Sequence, residues 1–254
     1  MDKYSYIAVF DSGVGGVSVL RELRALMPGE RFYYFGDSRN APYGKKTTEQ
    51  VRALTLAAGR KLLVEQDCKA LVVACNTATS AAINDLRAAY PDLIIIGIEP
   101  ALKLAADKFP GGKLGVMATP MTLREEKFAR LMERFQESCE IYKIPAPGLV
   151  ELIEQGKADS PETDALLRTL FAPYPQLDAL VLGCTHYPFA AKAITRILGE
   201  DVVLFDGGDG TARETKRRLE AAGLLSESEG SVELRSSLPD PKILALSHTL
   251  LELD

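Results

Sequence analysis

Two cysteines carry the strongest chemical signal in this sequence. Cys75 closes the apolar run Ala70-Leu-Val-Val-Ala and is followed by Asn76-Thr77-Ala78. Cys184 closes Ala179-Leu-Val-Leu-Gly and is followed by Thr185-His186-Tyr187-Pro188. A buried cysteine is often no more than a small hydrophobe, but three features set this pair apart. Each sits where a strand-like run gives way to a helical pattern, and a helix N-terminus lowers thiol pKa and attracts anions. Each has short polar side chains directly behind it. The two also stand in matching places at an offset of 109 (75 to 184). A pair of opposed thiols can act as a base on one face of a carbon and an acid on the other, which is proton transfer at a stereocentre.

The elements that must position these thiols repeat with them. Ala81-Ala82 maps onto Ala190-Ala191, and Leu93 onto Val202. The opening unit, a strand over Tyr6–Phe10, a polar turn and a helix over Val17–Leu26, recurs as a strand over Leu114–Met117 and a helix running to about Phe135. The offset there is 107 (12 to 119), which puts Thr119 where Ser12 sits. Further strands are expected at Arg31–Phe35, Ile141–Ile144 and Val202–Phe205, and further helices over Thr47–Glu65, Pro161–Pro175 and Thr211–Ala222. Ser226–Leu234 reads as polar and exposed, and a short helix ends the chain. Strands alternating with helices predict an α/β fold: two similar doubly wound domains with mainly parallel sheets, related by a pseudo-twofold axis, with the active site in the cleft between them.

Composition narrows the class. At 254 residues, 46% hydrophobic and 26% charged, the chain has the make-up of an ordinary globular protein. A net charge of −5 argues against nucleic acid as a partner. The longest apolar runs are strand-length, so no membrane span is expected, and Met1-Asp-Lys-Tyr-Ser-Tyr-Ile enters a strand with no signal peptide before it. The four cysteines (68, 75, 139 and 184) lack metal-ligand spacing and do not form a disulfide framework, which points to the cytoplasm and to no metal.

The remaining candidates gather at expected strand ends. His186, one of two histidines, lies two residues after Cys184 and can exchange a proton with it, whereas His248 reads as structural. Asp11 and Ser12 suit an N-cap, and a capping carboxylate can also meet a substrate ammonium. Gly13, Gly15 and Gly16 match neither dinucleotide nor P-loop spacing, so they read as a tight turn close to a small ligand. The polar segment from Asp37 to Gly44, with Pro42-Tyr43-Gly44, is either a turn or a set of backbone N–H groups facing an anion.

Taken together, Phe10-Asp-Ser-Gly-Val-Gly-Gly16, Gly36-Asp37 through Pro42-Tyr-Gly44, Cys75-Asn-Thr-Ala78 and Gly183-Cys-Thr-His-Tyr-Pro188 closely resemble the glutamate racemases of the cofactor-independent aspartate/glutamate racemase family. These motifs keep the family's order across most of the chain. The resemblance implies a discontinuous first domain (residues 1–97 and 207–254) and a second domain (98–206). It implies a homodimeric cytoplasmic isomerase, without cofactor, that interconverts L- and D-glutamate and supplies D-glutamate for peptidoglycan, hence for cell wall biogenesis and cell shape. By the same resemblance, Cys75 takes the α-proton of D-glutamate and Cys184 that of L-glutamate. Asp11 assists Cys75, His186 assists Cys184, and Asp37 and Glu154 give acid/base support. The implied substrate contacts are Asp11, Ser12, Tyr43, Gly44, Asn76, Thr77, Thr185 and His186.

Without an electron sink, the carbanion must be met by preformed donors in a dry pocket, so thiol deprotonation is expected to be coupled to substrate binding. The chain departs from the family at Glu125, Glu151 and Asp206-Gly-Gly-Asp-Gly. Two alternatives share the scaffold: a racemase for aspartate or a related amino acid, and a gyrase-binding regulator. A nucleotide-binding protein is a third.

Overall fold

A computed structural model describes residues 2–253, apart from the side chain of Lys127. Met1 and Asp254, the two extremes of the expected first domain, lie outside the described residues. The first stretch runs β1 (Tyr6–Asp11), α1 (Val17–Leu26), β2 (Arg31–Gly36), α2 (Thr48–Glu65), β3 (Cys68–Val73), α3 (Asn76–Ala89) and β4 (Ile94–Gly97). The middle runs α4 (Leu102–Lys108), β5 (Lys113–Ala118), α5 (Pro120–Arg124), α6 (Glu126–Glu133), β6 (Glu140–Pro145), α7 (Leu149–Glu154), α8 (Pro161–Phe171), β7 (Ala179–Gly183), α9 (Ala191–Leu198) and β8 (Val203–Asp206). The chain then finishes with α10 (Gly208–Ala221), β9 (Ser231–Ser236) and α11 (Pro241–Leu251). It divides into one unit of Met1–Glu99 with Gly208–Asp254 and another of Pro100–Gly207. Among the described residues, no helix is long and apolar enough to cross a membrane.

Every strand pairing is parallel. The first unit's sheet has the order β4-β3-β1-β2-β9, and the second unit's has β6-β5-β7-β8. Read from its other edge, the second becomes β8-β7-β5-β6. That is the order β4-β3-β1-β2 with each strand replaced by its counterpart in the sequence repeat, and β9 is the first sheet's additional edge. The central strands β3 and β7 are buried along their whole length, as expected where helices cover both faces of a parallel sheet. In the second unit, Leu180 and Leu182 join the apolar layer of Leu149, Ile153, Leu167 and Ile194. The alternate residues Ala179 and Val181 join Leu102, Phe128 and Met132 on the opposite face. This two-sided alternation is the doubly wound arrangement expected from the sequence.

Four local expectations need correction. The single helix expected to run to Phe135 is two, because Glu125 adopts extended backbone (φ −66°, ψ 136°) between α5 and α6. No Gly or Pro follows Pro120 in that stretch, so nothing local marks the break. The helix expected from Thr211 starts earlier, at Gly208. The short helix α4 was not anticipated. Finally, Ser226–Leu234 is not simply exposed: Ser226 is buried and its N–H donates to Glu30 Oε1 at 2.8 Å, and β9 begins at Ser231. An edge strand is half solvated, so its polar alternation resembles a loop when read alone.

At the N-terminal end of β3, the β1–β3 register shifts between Tyr6 and Ile7, beside Lys69. Lys69 is fully buried, 2.6 Å from the buried Glu30 carboxylate, and its ammonium also donates to Leu224 O at 3.0 Å. This pair secures the returning C-terminal segment at the sheet end opposite Cys75.

Candidate active site

The first thiol lies where β3 hands over to α3. Cys75 is the N-cap of that 14-residue helix, and its sulphur accepts the Ala78 N–H at 3.4 Å. Its thiol in turn donates to Ser12 Oγ at 3.4 Å, across from the end of β1. Cys75 is 5% exposed and Asp11 fully buried. The Asp11 carboxylate accepts the Gly13 N–H at 2.9 Å, and Tyr34 Oη donates to Gly13 O at 2.7 Å. The glycine-rich turn is therefore a packing device. A Cβ on Gly16 would lie 2.5 Å from Asp11 Cβ, and one on Gly36 would lie 2.4 Å from Gly13 O. What approaches Gly16 most closely is Asp11 itself, so the turn packs directly against that carboxylate.

Asn76 and Thr77 occupy the first turn of α3 and are buried. Among the described residues Asn76 Oδ1 has no hydrogen-bond partner, so a buried acceptor is left for a donor from outside. Asp37, just past β2, donates its N–H to Asp11 O at 2.9 Å. Its carboxylate accepts Tyr43 Oη at 2.7 Å and the Asn40 side-chain amide at 3.0 Å. Burial first, then the hydrogen bond to Asp37, pushes the Tyr43 hydroxyl well above the ordinary tyrosine range, so it remains a donor. Tyr43 and Gly44 open a single 3-10 turn over Tyr43–Lys45, with Gly44 half-buried.

The second thiol is built differently. Cys184 follows β7, but the chain passes through a 3-10 turn at Tyr187–Ala190 before α9 begins at Ala191. The helix start expected behind each cysteine is therefore adjacent only at Cys75. Cys184 is 8% exposed, and its sulphur lies 3.7 Å from His186 Nδ1. His186 Nε2 lies 3.0 Å from Glu154 Oε1, at the last residue of α7. Burial on its own would lower the His186 pKa. The hydrogen bonds and negative charge of Cys184 and Glu154 outweigh it and hold the imidazole well above its ordinary value. The row thiol–imidazole–carboxylate can take up or release a proton at sulphur while the ring stays oriented. Thr185 is buried beside it.

Within the first unit, Asp11, Ser12, Asp37, Tyr43, Gly44, Cys75, Asn76 and Thr77 thus lie at the C-terminal ends of β1, β2 and β3. Within the second unit, Glu154, Cys184, Thr185 and His186 lie beyond β7. One further group, Asn40, was not among the sequence candidates, being inside a polar loop with no periodic signal. Thr119, which the 107-residue repeat places where Ser12 sits, lies just past β5 with its hydroxyl oxygen 2.9 Å from that of Thr122. Among the described residues, no three His, Cys, Asp or Glu side chains cluster as metal ligands.

Residues 16–215 match the family described as Asp/Glu/Hydantoin racemase. Over 255 residues the chain is 51% identical to a glutamate racemase from Clostridium acetobutylicum, covering 99% of each chain. It resembles the crystal structure of a glutamate racemase isoform from Bacillus anthracis with a TM-score of 0.88 at 29% identity, over 99% of this chain and 96% of that one. It also resembles the glutamate racemase from Francisella tularensis solved in complex with D-glutamate, with a TM-score of 0.86 at 26% identity, over 99% and 95% of the two chains. A duplicated parallel scaffold, a buried thiol beyond a central strand of each half and this breadth of similarity lead to one assignment: the chain belongs to the Asp/Glu/hydantoin racemase family, among its glutamate racemases.

Proposed function

We propose that this chain interconverts L- and D-glutamate by transferring protons at Cα between substrate and two thiols. The observation that carries this reading is that each half of the duplicated scaffold holds one buried cysteine beyond a central strand, each with its own hydrogen-bonding partner: Ser12 for Cys75 and His186 for Cys184. The Cys75 thiolate removes the α-proton of D-glutamate, forming S–H. The electron pair left on Cα delocalises into the α-carboxylate, and the Cys184 thiol delivers its proton to the opposite face and becomes the thiolate. Cys184 begins the reverse reaction from L-glutamate.

Each supporting group has a task that follows from its chemistry. Asp11 and Ser12 meet the substrate ammonium, and the unpartnered Asn76 Oδ1 suits the same donor. The N-terminus of α3, Thr77 and Thr185 meet the charge that develops on the α-carboxylate. The Tyr43-Gly44 backbone holds the side-chain carboxylate. His186, supported by Glu154, sets the proton at Cys184. Asp37 supports the first thiol's surroundings. No cofactor enters, since the proton and the electron pair are both accounted for by the thiols and the substrate. The product supplies D-glutamate to peptidoglycan and so to cell wall biogenesis and cell shape. The enzyme works in the cytoplasm as a homodimer, with neither nucleic acid nor membrane as a partner.

The deciding experiment incubates D-glutamate with purified protein in D2O without added cofactor, following optical rotation and α-deuterium together. Loss of rotation with deuterium in the inverted product, absent in Cys75→Ala and Cys184→Ala, supports the reading. Unchanged rotation without exchange overturns it and directs the assay to aspartate.

A further inference from the structure

The Asp37 carboxylate is engaged by its own loop. Its Oδ2 accepts Tyr43 Oη at 2.7 Å, and the Asn40 amide reaches both oxygens, at 3.1 and 3.0 Å. The backbone closes the same loop: the Asn40 N–H donates to Asp37 O at 3.0 Å, and the Asp37 N–H donates to Asp11 O at 2.9 Å. The second unit repeats only the last of these bonds, from the Ala146 N–H to Ala118 O at 3.1 Å. Alanine stands at both ends of that bond, so no carboxylate is present there.

A carboxylate that carries protons for Cys75 must reach its sulphur, directly or through a bridging group. Both Asp37 oxygens are instead turned to Tyr43 and Asn40 of their own loop, and the hydrogen bonds described for the Cys75 sulphur, to Ser12 and Ala78, do not include Asp37. We propose that Asp37, Asn40 and Tyr43 form a positioning clamp that fixes the Tyr43-Gly44 backbone, and that Asp37 is not a proton carrier. The proposal rests on the reading above, in which that backbone holds the substrate's side-chain carboxylate. The raised pKa of the buried Tyr43 hydroxyl is consistent with it, because a clamp needs a donor that keeps its proton.

The test compares full-length Tyr43→Phe, Asn40→Ala and Asp37→Asn with the wild type, by amide hydrogen exchange over residues 38–46 and by steady-state kinetics against pH. Tyr43→Phe and Asn40→Ala break the clamp while leaving the carboxylate in place. Both are expected to speed exchange in that segment about tenfold, roughly the worth of one net hydrogen bond. Both should raise KM for glutamate about tenfold and change kcat by less than about threefold, as expected when uniform binding is lost. Asp37→Asn, which keeps the shape and one acceptor, should fall between them and the wild type, with neither limb of its pH profile moved. A loss of kcat on the order of 100-fold in Asp37→Asn, with a displaced pH limb and wild-type exchange in the other two variants, would overturn the clamp in favour of proton transfer. Normal wild-type turnover with unchanged exchange in all three variants also overturns it. Faster exchange in a protein that does not turn over glutamate supports the clamp and refutes the activity instead.

Discussion

The two thiols occupy equivalent places in one repeated topology, yet their surroundings have diverged. Cys75 caps a 14-residue helix, accepts a backbone N–H and shares its hydrogen with a serine hydroxyl, with a buried carboxylate one residue from that serine. Cys184 has no helix directly behind it and relies on an imidazole backed by a glutamate that is 29% exposed on its side chain. Asp11 in the first half corresponds to Ala118 in the second, and the acidic group of the second half arrives instead from α7, 32 residues from His186. The strand ends are matched in the two halves, while the groups bonded to each thiol are not. Mirror symmetry requires the equilibrium constant between enantiomers to be unity, so kcat/KM must be equal in the two directions. The difference between the halves can therefore appear only in kcat and KM taken separately, in isotope exchange and in pH dependence.

The largest effect breaks the comparison outright. Cys75→Ala and Cys184→Ala should each lower kcat/KM for racemisation by 10³-fold or more, on the order of what a positioned acid or base contributes. Wash-in of α-deuterium without inversion should then survive for one enantiomer only: D-glutamate in Cys184→Ala and L-glutamate in Cys75→Ala. NMR of each enantiomer in D2O reads this directly, and wash-in to both would mean that the thiols are not confined to opposite faces.

A smaller effect, on the order of 10²-fold, is expected for His186→Asn. Because the folded pKa of His186 is raised above its unfolded value near 6.5, its charge contributes stability that is complete below about pH 6.5 and fades as pH rises through the raised value. The melting temperature of the wild type relative to His186→Asn should thus be constant below about pH 6.5 and decline above it, and a constant difference throughout would show that the imidazolium is not favoured by folding.

Gly16→Ala sharpens the first half alone. A Cβ 2.5 Å from Asp11 Cβ and 3.2 Å from Ala74 Cβ forces the acid or the strand end to move. Thermal melts should show a loss of about 1–3 kcal/mol, and KM should rise because Asp11 is displaced from the ammonium. The smallest effects compare the halves as folded bodies. Thr47 caps α2 with a reciprocal bond to Gln50, and Ser160 caps α8 through the Thr163 N–H. Thr47→Ala and Ser160→Ala should each cost about 1 kcal/mol in denaturant titrations while leaving kcat alone. A single transition displaced equally by both would show that the units unfold together.

Much of the architecture was legible because its signals are local. Apolar runs of strand length and helical spacing between them mark β1, β3, β5 and β7, and the offsets of 107 and 109 anticipate the matched strand orders. Where the signal is not local, sequence pattern and structure part. Nothing in the chain around Glu125 announces extended backbone, and the half-solvated β9 has the composition of a loop. Behind Cys184 a 3-10 turn holding Pro188 precedes the helix, and proline at a first helical position does not distinguish the two geometries in advance.

The sequence alone therefore determined which residues end the central strands, that there are two such sets, and that each contains a thiol. Those facts follow from periodicity along the chain. Only the tertiary structure decided what each thiol touches. Ser12 meets Cys75 from 63 positions away, Glu154 meets His186 from 32, and Tyr43 and Asn40 close on Asp37 from within one loop. The physical reason is that parallel strands bring their C-terminal ends to one edge of a sheet. Which loop side chains then meet depends on register and loop path, and neither leaves a periodic trace in the chain.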